Sequence, residues 1–291
     1  MDQTMFKKII LITNNYTKVI SDTLNTVISL LEKRKIEVFL DKYCAELLPG
    51  SHHKRVNSDT FGDGRYDLAI AIGGDGTMLR AAHILANHDI PLLGINRGRL
   101  GFLADIPANS VEPMLEKILD GDFVEDVRFQ LHCQVLRNGK VLFETDAFND
   151  VIIQKGNIGK LIEFETYING NYVHSQRGDG IIVASPTGST AYALSGGGPI
   201  IHPALDALLL VPICPHTLSN RPIVIDGNSR VEIVMKESKI EHASLSCDGE
   251  VICDLVEADR LSVYKKDRKI RLIHPSNYDH YSVLRAKLAW G

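Results

Sequence analysis

The residues of this chain with the most chemical content lie in glycine-rich turns. Gly73-Gly-Asp-Gly-Thr77 follows a buried apolar run, 67–72, and precedes a stretch of helical character, 78–87. Glycines let a backbone approach a phosphate closely and present its N–H groups. The N-terminus of a following helix adds a field that favours anions. In an open α/β sheet, ligands bind beyond the carboxyl ends of the strands, where this turn falls. Asp75 is out of keeping with a turn built for anions. A carboxylate beside phosphates accepts a proton or holds a magnesium ion. The plain alternative is a tight strand–helix turn with the aspartate as a cap.

A second cluster begins at Arg177-Gly-Asp-Gly180 and continues through an apolar strand into Ser185-Pro-Thr-Gly-Ser-Thr-Ala-Tyr-Ala-Leu-Ser195 and three glycines. The stretch 185–195 offers hydroxyl donors to ribose or phosphate and the face of Tyr192 to a base. A long surface loop between strands would have the same composition. Asp179 can accept from ribose hydroxyls and Arg177 can pair with phosphate, though each is also an ordinary surface charge. Asn149-Asp150 sets an amide beside a carboxylate, suited to a sugar diol or an amide, or simply to a strand edge. Cys247-Asp-Gly-Glu250 reads as a β-turn. Several other chemistries are missing from the sequence. Gly156-Asn-Ile-Gly-Lys160 is too short for a P-loop. No dinucleotide G-x-G-x-x-G follows a strand, and there is no protein-kinase catalytic loop, G-x-S-x-G or H-E-x-x-H.

The elements around these turns change character near the middle of the chain. Apolar runs at 9–13, 36–40, 67–72 and 90–95 alternate with helical patterns at 17–35, 78–87 and 111–119. In 17–35, Ile20, Leu24, Val27, Ile28 and Leu31 share one helical face. This alternation predicts a parallel sheet covered by helices. After about residue 123, short strands follow at 131–136, 140–143, 148–154, 161–168, 180–184, 222–225, 231–235, 243–246 and 261–265. Turn pairs Asn138-Gly139, Asn169-Gly170 and Asp226-Gly227 fall between them. The expected fold is an α/β N-terminal domain with a Rossmann-like parallel sheet, over 1–125, and an all-β, mostly antiparallel domain, a sandwich or a barrel, over 126–270. A tail, 271–291, with a helix near 281–290, is expected to pack back on the first domain.

The 291 residues suit one large or two modest domains. Hydrophobic residues at 44% and charged residues at 23% exclude a disordered, collagenous or coiled-coil chain. Lysine and arginine total 32 against 36 acids, a net charge of −4, which argues against a protein built to coat nucleic acid. Five cysteines without a Cys-x-x-Cys read as free thiols of a reducing compartment. The N-terminus lacks a signal-peptide pattern. The longest later apolar run, 208–214, is far short of the roughly 18–20 residues a membrane span needs. A soluble, cytoplasmic protein without membrane or nucleic-acid partners is expected.

Taken together, Gly73-Gly-Asp-Gly-Thr77, Asn149-Asp150, the run Asp179 to Tyr192, Gly198-Pro-Ile200 and Cys247-Asp-Gly249 resemble the motifs of the NAD kinase family, in the same order. The first motif is shared with diacylglycerol-type lipid kinases; the second discriminates. Asn-Asp stands where the family more commonly has Asn-Glu, and Ser185 where it more commonly has Thr. The resemblance implies transfer of the ATP γ-phosphoryl group to the 2′-hydroxyl of the adenosine ribose of NAD, assisted by Mg2+. It implies Asp75 as the catalytic carboxylate, with Asp75 and Gly76 contacting NAD. Asn149 and Asp150 would hold a ribose or the nicotinamide end. Asp179 with Thr190, Ala191, Tyr192, Ala193, Leu194 and Ser195 would line the dinucleotide. Arg177 and Lys160 would meet phosphates, with Arg80 and Glu250 as further contacts. No residue is assigned as a metal ligand. A homodimer or homotetramer is implied as well. The alternatives are a lipid kinase sharing the first turn and a non-catalytic dinucleotide sensor.

Overall fold

The computed structural model describes residues 5–56, 66–98, 101–156, 160–217, 219–236 and 243–290. The chain divides into two compact units, Met1–Val127 with Ile270–Gly291, and Arg128–Lys269.

The first unit follows β1 (Lys8–Ile12), α1 (Lys18–Lys33), β2 (Glu37–Leu40), α2 (Lys42–Leu47), β3 (Lys54–Arg55), β4 (Leu68–Gly73), α3 (Asp75–Leu85), β5 (Leu92–Asn96), β6 (Ile106–Pro107) and α4 (Val111–Leu119). Its sheet runs β3-β2-β1-β4-β5, parallel throughout. The apolar face of α1 packs Leu24, Val27 and Leu31 against Ile9, Leu11 and Ile70. That face is what the spacing at 17–35 encodes. The helix stops two residues earlier than expected, because Lys35 turns into the left-handed region at φ 57°. α3 starts earlier than expected, at Asp75 and not at residue 78. Gly74 is extended at the N-cap, and its carbonyl accepts from the N–H groups of Thr77 and Met78. The second half of the glycine turn is therefore the first turn of the helix itself. Connections from β1 proceed outward to β2 and β3, and the chain then returns to place β4 on the other side of β1. This makes the β1–β4 boundary the topological switch point.

Among its described residues the second unit is all β apart from one short α-helix and a 3-10 turn at Thr187–Thr190. β7 (Phe123–Arg137) leads into it, followed by β8 (Lys140–Ala147), β9 (Asp150–Lys155), β10 (Ile162–Ile168), β11 (Asn171–Gly178), β12 (Gly180–Ala184), α5 (Tyr192–Ser195), β13 (Ala207–Ile213), β14 (Ile223–Asp226), β15 (Val231–Met235), β16 (Ala243–Cys247) and β17 (Glu250–Leu255). β18 (Arg260–Pro275) carries the chain back to the first unit, where its end pairs parallel with β5 and α6 (His280–Leu288) follows. One sheet has the antiparallel order β14-β13-β12-β9-β16-β17. The other includes β11-β10-β15 and the first part of β18, with the β7–β8 hairpin. Their facing side chains, among them Leu131, Ile153, Phe164, Ile181, Ile233 and Leu261, form the core. Asn138-Gly139, Asn169-Gly170 and Asp248-Gly249 all have positive φ, as two-residue hairpin turns require.

β13 was not foreseen as a strand. Its run of apolar residues lacks alternation because both faces are covered. Leu208 and Leu210 enter the sandwich core, while Leu209 and Val211 pack with Ala193 and Ile201 from the 185–201 segment. β18 is also far longer than the expected 261–265. No helix among the described residues is long and apolar enough to cross a membrane. All five cysteines are free.

Candidate active site

The first unit presents its glycine turn at the switch point. Thr13, just after β1, donates its hydroxyl to the Ile72 carbonyl at 2.8 Å. Thr77 donates its own to Asn14 Oδ1 at 2.5 Å. These bonds tie the ends of β1 and β4 together. Asp75 is half-buried in the first turn of α3, and its two oxygens accept the backbone N–H groups of Phe102 and Leu103 at 2.9 and 3.0 Å. A carboxylate held by two fixed amides has a defined direction. Gly101, one residue before these donors, is indispensable to the arrangement: a Cβ there would lie 2.0 Å from Asp75 Oδ1. Arg80, one turn further along α3, is committed elsewhere. It donates to Asp41 at 2.7 Å and to the Thr13 carbonyl at 2.8 Å, and it stacks over Tyr43 at 4.5 Å. It buttresses the loop after β1.

The second unit builds its own site around the start of β9. Asp248, in the β16–β17 turn, accepts the backbone N–H groups of Phe148 and Asn149, each at 2.7 Å, and that of Asp150 at 3.2 Å. Asp150 is only 3% exposed. Burial, reinforced by the Asp248 carboxylate, pushes its carboxyl up to about 7, and the Tyr192 backbone N–H works in the opposite direction. The hydroxyl-rich loop is stitched to the same place. Ser185 donates to the Phe148 carbonyl at 2.6 Å and accepts from the Gly188 N–H at 3.2 Å. Ser189 donates to the Pro186 carbonyl and accepts from the Ile201 N–H. Gly188 is pressed so closely on Asn149 that a Cβ would lie 2.1 Å from its carbonyl oxygen. Asn149, Asp150, Ala191, Tyr192, Asp248 and Gly249 contribute to the walls of a pocket of about 360 Å³.

The remaining candidate residues fall in different surroundings. Gly76 is exposed on the first turn of α3. Thr190 turns its hydroxyl back to the Thr187 carbonyl at 3.2 Å. Ala193 is fully buried against the outer face of the sheet, while Leu194 is half-buried and Ser195 exposed. Asp179 pairs with Lys155 at 2.6 Å. Arg177 lies exposed on β11, 3.7 Å from Glu163. Lys160 and Glu250 are exposed, and neither lines the pocket. Sequence reasoning missed the donors Phe102 and Leu103, the partner Asn14 and the orienting role of Asp248. Only Asp248 carried a local signal, as an aspartate in a left-handed turn position.

Residues 9–123 match the model of the ATP-NAD kinase N-terminal domain, and residues 148–275 match that of the ATP-NAD kinase C-terminal domain. The chain is 47% identical over 270 residues to NAD kinase of Pseudomonas savastanoi pv. phaseolicola, covering 93% of this chain and 91% of that one. Identity and coverage are the same for NAD kinase of Pseudomonas fluorescens. Among solved structures, yeast NADH kinase complexed with NADH is similar with a TM-score of 0.89 at 24% identity, covering 99% of this chain and 89% of that one. An NAD kinase from Archaeoglobus fulgidus in complex with ATP gives 0.75 at 21% identity, covering 98% and 100%. A turn that aims a carboxylate at a switch point, a pocket built on Asn149-Asp150, and these two domain matches agree: the chain belongs to the ATP-NAD kinase family.

Proposed function

We propose that this chain transfers the γ-phosphoryl group of ATP to the 2′-hydroxyl of the adenosine ribose of NAD. The observation that carries the reading is Asp75, aimed by two backbone amides at the N-terminus of α3. Its carboxylate takes the 2′-hydroxyl proton as that oxygen bonds to the γ-phosphorus and the bond to the leaving ADP oxygen breaks. General-base assistance of this kind contributes about 10²–10⁴-fold. The open amides of Gly74 to Gly76 and the α3 N-terminus favour the phosphates. In the second unit, Asn149, Asp150 and Tyr192 supply an amide, a carboxyl that titrates near neutrality and an aromatic face around one pocket, which supports dinucleotide binding there. Asp179, Arg177, Lys160 and the segment Thr190 to Ser195 extend these contacts, with Arg80 holding the turn from behind. The relatives of this fold solved with NADH and with ATP carry ligands of the classes proposed.

Mg2+ would enter with ATP, bound by the substrate phosphates and keeping several of its waters. Backbone N–H groups do not ligate a cation, and both Asp75 oxygens already accept amides, so the turn would meet the ion through the phosphates it favours. There it would neutralise charge spread over the transferring oxygens. A cytoplasmic location fits five free thiols. A homo-oligomer fits the exposed apolar run Val141, Leu142 and Phe143 on β8, and light scattering would give its size. The deciding experiment is NADP formation from NAD, ATP and Mg2+, read by an NADP-dependent reporter enzyme. Asp75→Asn is expected to fold, bind NAD and lose about 10²–10⁴-fold in kcat. Wild-type turnover in that variant would refute the role given to Asp75.

A further inference from the structure

Away from the glycine turn, the first unit gathers three side chains for which the proposed reaction has no use. Glu32 lies in the last turn of α1, and His52 and His53 lie in the loop between α2 and β3. That loop is shaped by a Ser51 N–H bond to the Leu48 carbonyl at 3.0 Å and a His53 N–H bond to Ser51 Oγ at 3.3 Å. The His53 side chain is only 10% exposed. The His52 ring lies 4.3 Å from that of His53, centroid to centroid, and its side chain is 82% exposed. Both imidazoles direct Nε2 at the same carboxylate oxygen, Glu32 Oε1, at 3.5 Å from His52 and 3.4 Å from His53.

Those distances carry the argument. They are longer than the 2.7–3.2 Å of ordinary N–H···O bonds. They match the edge of a tetrahedron whose centre lies ~2.0–2.1 Å from each ligand, which is roughly 3.3–3.4 Å. All three ligand atoms lie within 4.8 Å of one another. We propose that Glu32, His52 and His53 bind a single divalent transition-metal ion of the zinc class.

Two imidazoles and one carboxylate suit zinc, cobalt, nickel or copper, and not the oxygen-seeking magnesium that accompanies ATP. Metal ligation requires neutral imidazoles. The exposed side of His52 leaves a fourth position open to water. The ion would clip the end of α1 to the loop that leads into β3, so its effect is a stabilised first unit.

The test uses the full chain, stripped with chelator and titrated with Co2+. The expected result is one Co2+ per chain, with the visible absorption bands of a tetrahedral N/O site, displaced by Zn2+ and accompanied by a rise in Tm. Glu32→Gln and His52→Ala are expected to weaken binding by more than about 100-fold, beyond the roughly 10–100-fold typical of losing an outer-shell partner. His52 is largely exposed, so its variant keeps the fold. His83→Ala, an exposed histidine on α3, is expected to bind as wild type. Absence of a one-to-one site, or unchanged Co2+ affinity and spectrum in Glu32→Gln and His52→Ala, would overturn the proposal.

Discussion

Gly101→Ala tests the geometry of Asp75, the carboxylate proposed as the base, without replacing it. The backbone at Gly101 is not in the left-handed region, so alanine is tolerated conformationally and its effect is steric. The new Cβ would lie 2.0 Å from Asp75 Oδ1, about 1.4 Å short of ordinary van der Waals contact. Either the carboxylate swings away or the 101–103 backbone moves. In both cases the bonds from the Phe102 and Leu103 amides are lost or lengthened. Hydrogen bonds to a charged group are worth about 1.5–3 kcal/mol each. Asp75 is half-buried, and water replaces part of that loss, so the expected destabilisation is about 1–3 kcal/mol in total. The catalytic effect is larger, because a misplacement of ~1 Å costs about 100-fold in rate. We expect kcat for NADP formation to fall by about 100-fold while the KM for NAD changes little. The control is the double-mutant cycle with Asp75→Ala. Once the carboxylate is gone, adding Gly101→Ala should cost neither further activity nor much stability. A wild-type kcat in Gly101→Ala, or an equal further loss of activity in the Asp75→Ala background, would refute the assignment.

Asp150 supplies a pH signature. Its folded pKa of about 7 stands above the ordinary carboxyl value of 3.8, so between these pH values the native state holds a proton that the unfolded chain has released. Stability therefore falls as pH rises through this window, by a few kcal/mol. Asp150→Asn should be more stable than wild type at pH 8, with the gap closing below about pH 4, as read by denaturant titration at each pH. Asp248→Ala removes the acceptor of three backbone amides and is expected to cost roughly 3 kcal/mol or more, with NAD binding weakened in a fluorescence titration. Gly188→Ala pushes a Cβ into the Asn149 carbonyl; we expect loss of NAD affinity measured by calorimetry while Asp75 and its amides stay in place. Arg137→Met strands Asp259, which is 1% exposed and held by a two-pronged pair at 2.8 and 2.7 Å, and chemical denaturation should show a loss of about 3–5 kcal/mol.

The local code of this chain was legible because its signals act over a few residues. The apolar face of α1, the double-glycine turn after β4 and the Asn-Gly hairpins each state their conformation within one helical turn or one hairpin. The resemblance carried by 73–77, 149–150 and 179–192 extended that reading to the fold and the reaction class. Where both faces of an element are covered, the local signal failed. The apolar run at 207–211 has no periodicity to announce a strand, since Ala193 and Ile201 cover the face that a simple sandwich would expose.

From the sequence came the helices, the sharp turns and most of the strands, but not β11, β13 or β17, and the presence of one aspartate in a turn built for anions. The tertiary structure alone decided the company those residues keep. Asp75 is oriented by amides 27 and 28 residues away, and Asp150 is governed by an aspartate 98 residues downstream. The physical reason is that conformational propensity decays along the chain within a few residues. The direction of a carboxylate and the field around a buried acid depend instead on sheet order and packing, which bring distant segments within hydrogen-bond range.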